Sequence, residues 1–108
     1  MIVCVPVSGD QVVGGWGKAQ RVAVASVDQG EIESWEEIDV RWDLSHDEGT
    51  EGSHHARIVR FLREHGVQVV VTHHMGAPMA NTIDKLGIRV VRDVEGDART
   101  AVLAATQA

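Results

Sequence analysis

The first seven residues, Met1-Ile2-Val3-Cys4-Val5-Pro6-Val7, form an unbroken apolar run. A strand with one wet face alternates apolar and polar side chains, so an uninterrupted valine-rich run predicts a strand buried on both faces. Such a strand needs helices above and below it, which makes an α/β domain the first expectation. Residues 21–27, RVAVASV, read the same way and predict a second central strand.

Working outward, SGDQVVGGWGK between these strands carries glycines at 9, 14, 15 and 17, which predicts a flexible loop rather than a tight hairpin. Over residues 31–42, Ile38, Val40 and Trp42 alternate with Glu37, Asp39 and Arg41, the pattern of a sheet-edge strand. The short Asp28-Gln29-Gly30 link makes it antiparallel to its predecessor. Ser53 is placed to cap a helix from about His54 to His65, with Ile58, Phe61 and Leu62 as its apolar stripe and Gly66 as its stop. Residues 67–71 then predict a buried strand. Pro78 opens a helix carrying Met79, Ile83 and Leu86 that Gly87 ends, residues 88–91 form a strand, and Asp97 to about Thr106 forms a final helix. The order is βββαβαβα: a mixed five-stranded sheet with helices packed on it, in a single domain spanning 1–108, similar in outline to ribonuclease H-like folds.

Composition narrows the functions. Ten Lys and Arg against sixteen Asp and Glu give a net charge of -6, which repels phosphate backbones and anionic membranes, so no nucleic-acid or membrane partner is expected. The single cysteine, Cys4, excludes an internal disulfide framework and reads as an inert member of the first strand. Without a secretory signal pattern or a long apolar span, a cytoplasmic protein is expected. GWGKA is not a phosphate-binding loop, because Val12 and Ala19 stand where that motif needs Gly and Ser or Thr. A two-metal nuclease is excluded by a first strand without a carboxylate.

The histidines carry the remaining chemistry. His54-His55 opens the predicted helix, and His73-His74 followed by Met75 lies where a buried strand turns into the next helix. A helix that runs down and a strand that returns bring both pairs to the carboxyl end of the sheet, where open α/β folds place ligands. On a helical wheel His54 and His55 fall about 40° and 60° either side of Ile58, so both border the sheet-facing stripe. His46, beside Asp47 and Glu48, lies in a loop that reaches the same rim. Imidazole suits Zn, Cu, Fe and Ni, and a Met75 thioether favours Cu(I). The candidate metal ligands are therefore His54, His55, His73, His74, His46 and Met75. Each of the five histidines has a plain alternative as a polar residue of a cap or loop. His65, before Gly66, is a helix C-terminal residue interacting with the last carbonyls, and Met79 is core.

The opening MIVCVPV, the segment GWGKAQRVAVASVDQG, EIESWEEI, SHHARIVRFLREHGVQVVV and GAPMANTIDKLGIRVV together resemble the dinitrogenase iron-molybdenum cofactor biosynthesis family over nearly the whole chain. The resemblance implies a small domain that binds and carries metal clusters, exchanging an iron-molybdenum or other metal-sulfur cluster with a donor or acceptor protein. It also implies cofactor-binding roles for Trp16, as a shield, and Lys18, as a counter-charge, in a Trp-Gly-Lys-Ala stretch similar to the family's aromatic-Gly-basic-Ala loop. Gly15 stands where many members carry a histidine. The pairs at 54-55 and 73-74 replace residues that are small or polar in relatives. A metalloenzyme, with three histidines and an open position for water and Asp47 or Glu48 as base, is the second expectation, and a metal-free interaction module the third. Pairing through the exposed third strand would give a homodimer.

Overall fold

The computed structural model describes residues 1–45 and 49–107. Six strands form the sheet: β1 (Ile2–Ser8), β2 (Gln11–Val12), β3 (Arg21–Asp28), β4 (Glu31–Asp39), β5 (Val69–Val71) and β6 (Arg89–Val91). Their order is β4-β3-β1-β5-β6, with β2 paired off this path to β1. β1, β3 and β4 form the expected antiparallel meander, and β5 and β6 add in parallel on the other side of β1. The helices are α1 (Trp42–Ser45), α2 (Glu51–Glu64), α3 (Ala77–Lys85) and α4 (Ala98–Thr106).

β1 is buried on both faces, as its continuous valine run predicts. Cys4 joins Val22, Val70, Ile58, Leu62, Met79 and Ile83 in a core beneath α2 and α3, while Val3 and Val5 join Ala23, Val69, Val71, Ala98 and Val102 beneath α4. The strand therefore serves two cores through the period-two alternation of its side chains. Burial pushes the Cys4 thiol far above the ordinary thiol range, so it is an inert core residue.

Three local expectations are corrected. The glycine-rich segment does make a tight hairpin: Val7 pairs with Val12 and Ser8 with Gln11, and Gly9 takes φ 59, a left-handed turn conformation that a side chain would strain. The sheet thus has six strands rather than five. The edge strand stops at Asp39 and does not reach Trp42. Arg41 adopts φ 51 and turns the chain, the Val40 and Arg41 amides both donate to the Gln20 carbonyl, and Trp42 enters α1 with its ring buried against Trp16 and Phe61, at centroid distances of 5.1 and 5.5 Å. Finally, the α2 cap is Thr50. Its side chain accepts from the Ser53 amide at 3.1 Å and the Ser53 hydroxyl accepts from the Thr50 amide at 3.1 Å, so Ser53 closes a capping box rather than opening the helix. His65 is the helix C-cap, as expected, stacked on Phe61 with ring centroids 4.3 Å apart.

The ends of β1, β4, β5 and β6 and the start of α2 share one rim. No helix among the described residues is long and apolar enough to cross a membrane.

Candidate metal-binding cleft

Residues 16–18 fold as a single 3-10 turn at this rim. Two backbone hydrogen bonds tie the turn's approach to the segment after β5: the His74 amide donates to the Gly14 carbonyl at 2.8 Å, and the Trp16 amide donates to the His74 carbonyl at 3.0 Å. Gly15 and His74 thereby form a short parallel bridge. A cleft of about 450 Å³ opens beside the turn, lined by Trp16, Gly17, His54, His55, Met75, Gly76, Pro78 and Met79. These residues come from three separate parts of the chain, the 3-10 turn, the first turn of α2, and the loop entering α3.

His54 is buried, 3% exposed, and its Nε2 lies 2.8 Å from the Gly17 carbonyl oxygen. A carbonyl only accepts, so Nε2 carries a proton and donates. His54 thus anchors the turn to α2, and Nε2 would have to leave Gly17 to meet a metal. His55, one residue on, is half-buried at the cleft wall. Met75 and Met79 are 4% and 5% exposed and both line the cleft, so Met79 is core and wall together. Their spacing of four, straddling the start of a helix, is the sequence signal that would have placed Met79 at the site. Trp16 is 1% exposed, and its Nε1 finds no hydrogen-bond partner among the described residues. The N-cap of α3 is Gly76, which supplies no side chain to its first turn; Pro78 has no N–H, so the Ala77 and Met79 amides carry the helix start's partial positive charge beside the cleft.

The second histidine pair is placed differently. His73 is turned toward the β6–α4 connection, with Nε2 3.6 Å from Glu95 Oε1, and its backbone carbonyl accepts from the Asp93 amide. His74 contributes its backbone to the bridge with Gly15 while its side chain is exposed. Neither lines the cleft that holds His54 and His55. Lys18 lines a separate cleft from Trp16, on the other side of the turn. His46, Asp47 and Glu48 lie outside the described residues. Among the described residues, no group of three or more His, Cys, Asp or Glu side chains is arranged to hold a metal ion.

What the rim offers is therefore an imidazole wall, two thioethers and the side of the Trp16 indole, whose Nε1 is itself buried, beside a helix start with no side-chain cap. Soft sulfur donors with imidazole suit thiophilic transition metals, while the first amides of α3 suit anionic atoms. These elements make a three-layer α/β domain with a mixed sheet and a cleft at the sheet's carboxyl end. The chain belongs to the dinitrogenase iron-molybdenum cofactor family, whose pattern matches residues 1–108. Solved structures share the fold. The crystal structure of PH0822 is 21% identical, with a TM-score of 0.77 over 97% of this chain and 88% of that one. The apo form of the orange protein from Desulfovibrio gigas is 21% identical, with a TM-score of 0.71 over 94% of this chain and 82% of that one. A candidate dinitrogenase from Methanocaldococcus jannaschii is 17% identical, with a TM-score of 0.65 over 96% of this chain and 85% of that one. No curated protein matches the sequence.

Proposed function

We propose that the protein carries a metal cluster as cargo in the cleft formed by Trp16, His55, Met75 and Met79, with His54 positioning its wall. The observation that carries this reading is the meeting of His54, His55, Met75, Met79 and Trp16, distant in sequence, around one cleft at the carboxyl end of the sheet. Membership of a family described by the iron-molybdenum cofactor supports it. Because no three His, Cys, Asp or Glu side chains among the described residues are grouped to hold a metal, a cluster that brings most of its own ligands is favoured over a bare ion such as zinc, which takes four protein ligands in closed sites.

In this reading His55 and the two thioethers contact the metal atoms. The first amides of α3 donate to the cluster's anionic atoms, and the Trp16 ring closes the wall of the cleft. His73, His74 and His46 serve delivery from a donor or acceptor protein rather than resting coordination. The fold is of ribonuclease H-like type, and the protein acts in the cytoplasm as a carrier, not as an enzyme.

The test is anaerobic incubation of protein purified without an affinity tag, with Fe, Mo, Cu, Zn or Ni each with and without sulfide, followed by desalting and elemental analysis. Retention of metal that falls at least fivefold in His55→Ala and in Met75→Leu is expected. No retention under any condition, or retention indifferent to both substitutions, overturns the reading.

A further inference from the structure

The turn at residues 16–18 has a second side. There, a cleft of about 630 Å³ is bounded by Ser8 at the end of β1 and Gly9 just after it, by Lys18, by Arg21 at the start of β3, by Asp39 at the end of β4 and by Arg41 beyond it. Three of the chain's ten Lys and Arg residues gather at it, in a protein whose net charge is -6. We propose that this cleft is a binding site for a small, multiply charged oxyanion, separate from the metal-binding cleft.

The two arginines are held in place before any anion arrives. Arg21 donates from Nε to Asp39 Oδ1 at 2.7 Å and from Nη1 to Glu37 Oε1 at 3.5 Å. Arg41 grips Asp43 with two bonds of 3.2 Å, from Nε to Oδ1 and from Nη2 to Oδ2. A guanidinium has five N–H donors, so each arginine keeps donors beyond those its carboxylates occupy. Both arginine side chains are about half exposed, at 48% and 52%, so the carboxylates bias rather than lock the forks and reduce in part the side-chain freedom lost on binding. Lys18 is exposed and makes no ion pair among the described residues. Its mobile ammonium can therefore close on an anion that the arginines orient. Asp39, on the same wall, sets a condition on the ligand. A singly charged anion gains little against that neighbouring carboxylate, whereas a ligand with two or more charges engages Lys18 and the outer arginine donors at once. The volume falls within the range of small-molecule sites.

A purely structural role, stapling β3 to β4, accounts for Arg21 but gives Lys18 nothing to do. The experiment therefore turns on Lys18→Gln, which breaks no ion pair among the described residues. Metal-free protein is titrated with citrate and with inorganic pyrophosphate while backbone amide NMR shifts are followed. Saturable shifts confined to Gly9, Lys18, Arg21 and Arg41 are expected, with affinity falling at least fivefold in Lys18→Gln and again between about 0.05 and 0.3 M salt. Tighter citrate binding assigns carboxylates, and tighter pyrophosphate binding assigns phosphates. Shifts scattered over the surface, or saturable shifts unchanged by Lys18→Gln, overturn the proposal. Because no metal is added, failure here is distinct from failure of metal uptake.

Discussion

Replacing His54 by Ala separates the roles of the two adjacent histidines near the start of α2. The side chain is 3% exposed and bonds the Gly17 carbonyl at 2.8 Å, across 37 residues of sequence. Loss of that hydrogen bond costs about 1 kcal/mol net, and Gly17, half-buried, keeps a carbonyl that water reaches only in part. Removing most of a buried ring adds about 1–2 kcal/mol of lost burial. The expected destabilisation is about 2–3 kcal/mol, a large share of the roughly 5–15 kcal/mol typical of a domain. Urea denaturation followed by tryptophan fluorescence measures it directly, since Trp16 sits beside the lost contact. At about 4 °C per kcal/mol, the thermal midpoint should fall by about 8–12 °C. His55→Ala, at a half-buried position one residue on, should cost under about 1 kcal/mol while removing the imidazole at the cleft wall. A His54→Ala protein that unfolds within about 0.5 kcal/mol of the parent, or a His55→Ala protein that proves the more damaged of the two, would refute the anchoring role of His54.

Gly66 ends α2 at φ 64 with open space where a Cβ would stand, so Gly66→Ala should lose about 1 kcal/mol through backbone strain alone, measured as a lower urea midpoint at unchanged slope. Met79→Leu nearly conserves volume and should cost under about 1.5 kcal/mol, yet remove a thioether; unchanged metal retention with unchanged stability would exclude that sulfur as a ligand. Asp97 caps α4, and hydrogen bonds from the Thr100 amide and hydroxyl hold its carboxyl below the usual carboxylate range. A depressed native pKa stabilises above the unfolded value, so this contribution is complete above about pH 4 to 5 and is lost as the pH falls through the native pKa. Asp97→Asn keeps an acceptor oxygen without the titration and should flatten that acid limb in urea midpoints taken between about pH 6 and pH 2; an unaltered limb would remove Asp97 from its cause.

Elements whose partners are dictated by hydrophobic pattern were legible in the sequence. β1 and β3, the stripe of α2 from Ile58 to Leu62, and the stop at Gly66 follow from spacing and backbone chemistry alone. What escaped it depends on contacts between distant residues. The chain leaves the sheet after Asp39 because Gln20 and Ala19 supply acceptors to Val40, Arg41 and Trp42, and nothing in the local alternation reports those acceptors. His73 faces Glu95 because the β6–α4 connection lies beside it, a neighbour 22 positions away in the numbering of the chain. The convergence of the first histidine pair with Met75 could be argued from chain direction, because helix start and strand end must share a rim. The separation of Trp16 from Lys18 could not, since it arises within one turn of three residues whose flanking bonds set which way each side chain leaves.

If the cleft carries cargo as proposed, the bridge between Gly15 and His74 has a kinetic consequence for loading. A loop-lined cleft ordinarily breathes, and a ligand must then wait for, and suppress, the open forms. Here the amides of Trp16 and His74 are each bonded across the cleft's base, so both should exchange with solvent deuterium slowly despite lying outside the main strands. The ordering of these loops is complete once the chain has folded. On the proposed function, exchange of cargo would then depend on rotation of side chains such as His55 and Met75, on a timescale faster than backbone opening, and a carrier built this way would pass on its load without partial unfolding.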